Sequence, residues 1–355
     1  MSLRNTIVLS IIILMMLLIC NISAQNSKLP IIKFIDTNKY VTSYIPESDT
    51  RSLDQTILTF PEWYLVYSPE EMAELSKSQT LDRFPFYNSI WQYWDSYLTV
   101  SEYARQINSS NWGYHVMLLV IGTSTTIEYF LRGIYENSVG RFTFYLAGRS
   151  EEDDYAANVS SQYATFINYY PWYEFNFWHS LVGLWHLPLS GENFIRKIER
   201  RYILTTDYLA KFLYAKIIGL LTHSAFGVAK LNTIVIINKS PKNLKDIPQY
   251  KQLKTIGNDF MVELPRYDLF KSYALDLAKQ DIDFVDIAGN RGFIAVSIIS
   301  KEFQETDDCQ ILFKQEIYTK PGYERVFVIT PVRQLSNFLR RSINQQFTIE
   351  HIYDY

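Results

Sequence analysis

The chain has 355 residues, 48% of them hydrophobic, with 34 basic and 37 acidic side chains and a formal net charge of -3. That length and apolar content suffice for one large buried core or two ordinary ones, which excludes a chain disordered throughout. The near-neutral balance lacks the basic footprint that neutralising nucleic-acid phosphates requires, so nucleic acid is excluded as a partner class.

The first two dozen residues carry the clearest signal. Arg4 precedes an apolar run from Ile7 to Cys20, interrupted by Ser10, and Ile22-Ser23-Ala24 supplies a small residue before Gln25. This is the pattern of a secretory signal. It predicts a cell-envelope protein, either exported to the periplasm after cleavage following Ala24 or held by residues 1–24 as an anchor in the inner membrane. Ile19 is too large for the position before an acylated cysteine, which argues against a lipoprotein. With Cys20 in this segment, a cleaved chain keeps Cys309 alone and forms no intramolecular disulfide.

Residues 25–54 are of mixed polarity without a sustained period and read as a tether. From 55 to 229 the periodicity is helical. Ser68-Pro69-Glu70-Glu71 predicts a capped helix start, and Ser150-Glu151-Glu152-Asp153 predicts another, with acids in the first turn where the helix dipole favours them. Helices are expected at about 86–107, 112–137, 151–169, 191–204 and 207–226. Of these, 116–131 and 209–228 are the stretches apolar enough to be considered for membrane crossing, with buried or interfacial helices the default reading. Tyr87, Trp91, Trp94 and Leu98 line one helix face, read first as core and second as a headgroup-level belt. The chain contains 27 Tyr, 22 Phe and 7 Trp, and rings of this kind serve cores, partner surfaces and bilayer interfaces alike.

After residue 230 the period becomes alternating. Strands are expected at 233–237 and around Phe260-Val262-Leu264, then a helix carrying Phe270, Tyr273, Ala274 and Leu277. A hairpin is expected through Gly289-Asn290-Arg291 and a second through Lys320-Pro321-Gly322, before a helix with Leu335, Phe338 and Leu339 and a closing strand from Phe347. The fold class is therefore α+β: an N-terminal signal or anchor helix (1–24), a tether (25–54), an aromatic-rich all-α domain (55–229) and a ferredoxin-like α+β domain (230–355).

Thr59-Phe60-Pro61-Glu62-Trp63-Tyr64, Gly113-Tyr114-His115, Ile121-Gly122-Thr123-Ser124, Glu128-Tyr129, the run from Gly133 to Arg141 and Pro171-Trp172-Tyr173-Glu174-Phe175 resemble an uncharacterised family of bacterial membrane-associated proteins. The resemblance covers about residues 59–226. It implies an envelope location and carries no activity with it.

Phosphate-cradling loops, dinucleotide fingerprints, nucleophile elbows, paired-cysteine motifs and His-Glu-x-x-His are all absent from the sequence. Glu128, Arg132 and Glu136 are spaced by four and share one side of a helix, with Arg132 expected to neutralise its two neighbours. His115, Gly122, Thr126, Tyr129 and Gly133 form an adjacent small and polar stripe suited to close helix approach. Glu174 with His179 and His186 is a weak metal candidate, since imidazoles seven apart are separated by about 10 Å of helix rise. Asp281, Asp283 and Asp286 lack the glycine and terminal glutamate of a calcium loop and read as a solvated strand edge. No spacing implies a cofactor. The expectation is a non-catalytic, membrane-tethered envelope protein that binds a ligand or assembles with a membrane, a protein partner or an apolar ligand. The competing reading is an envelope enzyme for a lipid or other apolar substrate, with Glu128, Arg132, Glu136 and Glu174 around a buried pocket.

Overall fold

The computed structural model describes residues 29–34, 43–107, 111–226, 230–242, 249–344 and 347–354. The leader, 1–24, and part of the tether lie outside these residues. Phe60, Trp63, Tyr64 and Tyr67 recur at spacings of three and four and are all buried, which defines one side of an amphipathic helix. After a single turn, α1 (Gln55–Leu58), they open α2 (Phe60–Ser78). The helix thus starts well before Ser68-Pro69, where a cap was expected. Pro69 lies inside it and lacks the N–H that would bond the Leu65 carbonyl. Packing of the upstream rings outweighs that loss, and the Ser68 hydroxyl pairs with Tyr129 at 2.8 Å.

Next come α3 (Phe86–Gln106) and α4 (Trp112–Tyr135), a π-helical turn (Glu136–Gly140), α5 (Arg141–Ala147) and α6 (Glu151–Ile167). The start of α6 is capped as its sequence predicts: the Asp153 carboxylate accepts from the Ser150 backbone N–H at 3.0 Å and from its hydroxyl at 3.3 Å. Two further helices, α7 (Phe177–His186) and α8 (Phe194–Phe226), complete this half. The two helices expected at 191–204 and 207–226 are one helix of 33 residues. Thr205 and Thr206 do not interrupt it, because the Thr206 hydroxyl returns to the Tyr202 carbonyl at 2.9 Å and Thr205 accepts from the Trp185 indole at 3.1 Å.

The small stripe of α4 meets the aromatic stripe of α3. Trp94 donates to the Thr126 hydroxyl at 2.9 Å, and Gly122 and Gly133 lie beneath Tyr93 and the Phe86–Tyr87 pair. Trp94 is buried here, whereas Tyr87 and Trp91 of the same stripe are exposed.

The remainder holds β1 (Asn232–Ile237), β2 (Lys251–Ile256), β3 (Asp259–Pro265), α9 (Asp268–Lys279), β4 (Phe284–Ile287), β5 (Phe293–Ser300), β6 (Gln310–Glu316), β7 (Glu324–Pro331), α10 (Leu335–Asn344) and β8 (Phe347–Ile352). The strands expected in one ferredoxin-like sheet are divided between two antiparallel sheets, ordered β2-β3-β1-β4 and β6-β7-β5-β8. Both follow one path: a strand, a hairpin on its flank, a helix, and a return strand on the other flank. In each, the helix joins two strands that lie parallel on either side of an antiparallel one, a split βαβ.

The expected hairpin at Gly289-Asn290-Arg291 is instead the passage between sheets, with β4 bonded to β1 and β5 to β7 and β8. The reason lies in β5, whose Ile294, Val296 and Ile298 enter one core while Phe293 and Ala295 enter another. A strand buried on both faces belongs at the centre of a sheet. The β6–β7 hairpin forms as its sequence predicts, with Gly322 at φ 82° in the turn. The edge strand β2 escaped the sequence reading because it is lysine-bearing and exposed along most of its length.

One core is shared by both sheets with α9 and α10. The other face of the second sheet packs on α1, α2 and α3, so the helical half and the second sheet have a common core. Thr56 joins them, donating to the Tyr353 carbonyl at 2.8 Å and accepting from the Ala295 N–H at 2.9 Å. Part of the expected tether also packs on this body. Ile32 is buried, and its backbone neighbours are held by Gln106 and Gln310.

Candidate functional site

Three ion pairs join α4, and the π-helical turn that continues it, to α8. Glu128 meets Lys211 at 3.0 Å, Arg132 meets Asp207 at 3.9 Å, and Glu136 holds Arg200 through two bonds of 3.0 Å. Numbers rise along one helix as they fall along the other, so the helices run antiparallel down this ladder. The four-residue spacing places 128, 132 and 136 on one side of α4 as expected. The pairing differs from expectation: Arg132 bridges to α8 rather than to its own neighbours. Asp207 and Lys211 also pair with each other at 3.3 Å and Glu199 also holds Arg200, so α8 presents charges of both signs that meet those of α4. Burial works against the charges of Asp207 and Lys211. Lys211 and Arg132 nevertheless hold Asp207 below the usual carboxylate range, and Asp207 with Glu128 holds Lys211 above the usual amine range.

Past Arg200 the ladder widens into a charged core. Arg196 gives two bonds to Asp153, at 3.0 and 2.8 Å, and a third to the Gly140 carbonyl at 2.7 Å. Glu199 accepts from Arg196 at 3.1 Å and from the Arg200 Nε at 2.8 Å, while Arg201 bonds Glu152 at 2.9 Å. The π-helical turn buries both Glu136 and Gly140. A Cβ on residue 140 would stand 2.4 Å from the Glu136 Oε2, so only glycine fits there.

These charges give α8 an inverted polarity. Arg196, Lys197, Glu199, Arg200 and Arg201 are all buried, while Ile195, Ile198, Tyr202, Leu209, Leu213 and Ile217 are exposed. From Phe194 to Gly219 the one charged residue among the exposed positions is Lys216. The outer side of α4 and α5 repeats the pattern. Among the exposed residues from Trp112 to Ala147 there is no acid, and the one base is Arg141. The exposed positions of α7 are Trp178, His179, Val182, Trp185 and His186. Monomeric soluble proteins rarely expose contiguous apolar patches beyond a few hundred Å². No helix among the described residues is long and apolar enough to cross a membrane, neither at 116–131 nor at 209–228 within those residues.

The other sequence candidates do not join the ladder. Glu174 is exposed in the turn before α7, and His179 and His186 are exposed on α7 itself. No group of three metal-ligating side chains occurs among the described residues. Asp286, expected at a solvated edge, does lie on the edge strand β4 but is fully buried, because Ser43, from the segment before α1, and Arg291 cover it and donate to its carboxylate at 2.8 and 2.9 Å. Of the quartet in the enzyme reading, Glu128, Arg132 and Glu136 pair across to α8 and Glu174 stands apart from them. Neither the cleft lined by Arg51, Arg266 and Asp354, which at about 10 Å³ has room for a single water, nor the cleft beside Arg83 and Arg141 is lined by any of the four.

The motifs behind the family resemblance meet in space as packing. Tyr114 donates to Glu62 at 2.7 Å and pairs with the Thr59 hydroxyl at 3.1 Å; Trp63 stacks on His351 with centroids 3.5 Å apart; Trp172 stacks on Tyr214. A second buried polar group went unread in the sequence, since its members come from α2, β5, β7 and β8. Arg325 bonds Glu71 at 3.0 Å and Glu350 at 2.6 Å and lies over the Tyr67 ring, whose hydroxyl meets Ser297 and Tyr353. The His351 Nδ1 in this region is buried and has no hydrogen-bond partner among the described residues. Comparison with protein-family models, with curated proteins and with solved structures gave no match.

Proposed function

We propose that this chain is a non-catalytic envelope protein that seats on a membrane through the outer faces of α4, α5, α7 and α8. The paired sheets then stand in the aqueous phase as a ligand-binding or assembly module. One observation carries the reading: the charged residues of α4 and α8, Lys216 excepted, turn inward and pair, while large apolar residues of α4, α5, α7 and α8 turn outward. Water favours the opposite arrangement, whereas a bilayer interface accepts it, with tryptophan and tyrosine at the headgroup level. Trp112, Trp178, Trp185, Tyr145 and Tyr202 are exposed on these helices. At 1.5 Å per residue α8 is roughly 50 Å long, a length suited to lying along the interface. The apolar run Ile7–Cys20 stands a few residues before Leu29, and residues 30–32 are clamped to Gln106, at the end of α3 that leads into Trp112. A leader held in the membrane would bring this face to the same surface.

The test is tryptophan quenching by brominated acyl chains, with the full chain bound to vesicles. Replacing Trp178 and Trp185 by Phe is expected to remove most of the quenching, and Ile198→Glu with Leu213→Glu is expected to abolish it. Vesicle binding without quenching at Trp178 and Trp185 would mean that the leader alone holds the membrane. A dimer that protects these residues without lipid would give the face to a second copy. Either result ends the proposal.

A further inference from the structure

The face that lacks acids ends at a cleft of about 460 Å³ lined by Thr80, Asp82, Arg83, Arg141, Phe144 and Tyr145. Asp82 is nearly buried; its carboxylate accepts from the Thr80 hydroxyl and from the Arg141 Nε at 2.9 Å, and Arg83 approaches it at 4.0 Å. One acid below therefore positions two guanidiniums whose side chains are 70% and 56% exposed, leaving a net positive charge at the mouth. Beyond the Arg141 bond to Asn137 at 3.0 Å, these cations face solvent. Phe142, Tyr145 and Leu146, all exposed, carry the apolar face up to the rim.

Guanidiniums match phosphate oxygens in charge and geometry, and an adjoining apolar surface matches acyl chains. We infer that this cleft takes the phosphate headgroup of an anionic phospholipid, with Arg83 and Arg141 on the phosphate oxygens and the chains along Phe142 and Leu146. This deepens the membrane reading above and rests on it.

The experiment compares binding of the full chain to vesicles of phosphatidylcholine alone and of phosphatidylcholine mixed with phosphatidylglycerol. A cation at an anionic membrane surface strengthens binding about fivefold. Arg83→Gln and Arg141→Gln are each expected to lower the preference for anionic vesicles by about that factor and to leave binding to neutral vesicles unchanged. Lys254→Gln, which removes the same charge from β2, is expected to leave the preference intact. Wild-type binding without preference overturns the inference, as does an equal loss in the Lys254 variant. Saturable binding of inorganic phosphate without vesicles, lost in the Arg83 variant, would assign the cleft to a soluble phosphate and also overturn it. Failure to bind either vesicle is a distinct outcome that removes the membrane reading itself.

Discussion

Glu136 presents both carboxylate oxygens to the Arg200 guanidinium, each at 3.0 Å, where α4 passes through its π-helical turn. Both side chains are almost wholly buried. Burial disfavours the Arg200 charge, yet Glu136 and Glu199 together hold its pKa above the ordinary arginine range. The pair contributes little net stability against an apolar replacement, but removing one partner strands the other.

Glu136→Met and Arg200→Met, each alone, should therefore cost about 3–5 kcal/mol. Glu136→Met combined with Arg200→Met should recover much of that loss, since Glu199 keeps Arg196. Denaturant melts of the two single variants and the double close the cycle. A double variant as unstable as the sum of the singles would show that the two residues act independently.

Gly122→Ala tests the contact between α3 and α4. The added methyl would stand 2.1 Å from Tyr93, whose hydroxyl is bonded to the Leu118 carbonyl at 2.6 Å and whose ring is buried. Overpacking of this kind costs about 1–3 kcal/mol. Gly113→Ala, on the same helix with open space around it, should be neutral or stabilising in thermal melts.

Two residues near the C-terminus oppose each other in pH dependence. Burial pushes the Asp354 carboxyl up to about 7, with Arg266 opposing. Its folded-state pKa is raised, so its stabilising contribution is complete at low pH and is lost as pH rises toward 7. Burial, with Lys271 and Arg266 nearby, drives His351 well below its ordinary value. A depressed histidine stabilises fully above about pH 6.5 and loses that contribution as pH falls below it. Asp354→Asn should therefore expose the acid sensitivity of His351. The stability gap to wild type should widen by up to about 1.4 kcal/mol per unit as pH drops from 7 toward 4. A gap constant over that window would refute the assignment.

Gln106 and Gln310 clamp the entering chain. Gln106 accepts from the Ile32 N–H at 3.1 Å and donates to the Pro30 carbonyl at 3.3 Å, while Gln310 accepts from the Lys33 N–H at 2.8 Å and donates to the Ile31 carbonyl at 3.0 Å. Replacing both by Ala removes bonds worth about 1 kcal/mol each. Tryptic cleavage after Lys33 should then accelerate by at least roughly tenfold without a matching fall in global stability. An unchanged cleavage rate would mean that burial of Ile32 alone holds the segment.

Much of the element plan was legible in the residues. The cap at Ser150, the length of α3, the turn at Lys320-Pro321-Gly322 and the small stripe on α4 are local, because hydrogen bonding, backbone freedom and side-chain spacing decide them within a few residues. The four-residue row of Glu128, Arg132 and Glu136 was readable for the same reason. Its partners were not, because Lys211, Asp207 and Arg200 arrive from a helix far along the chain. The strand-turn-strand pattern around Gly289 likewise could not say whether β4 and β5 pair or part. Burial of β5 on both faces decided that.

By itself the sequence determined where most of the helices and strands lie, while the charged and apolar sides of α8 run through a stretch that it divides into two helices. Which side turns inward was decided by the tertiary structure alone. Periodicity defines two faces of a helix equally well, and the choice between them depends on what each face meets. Asp153 and Glu136 meet the charged face of α8, and so its isoleucines and leucines are left outside.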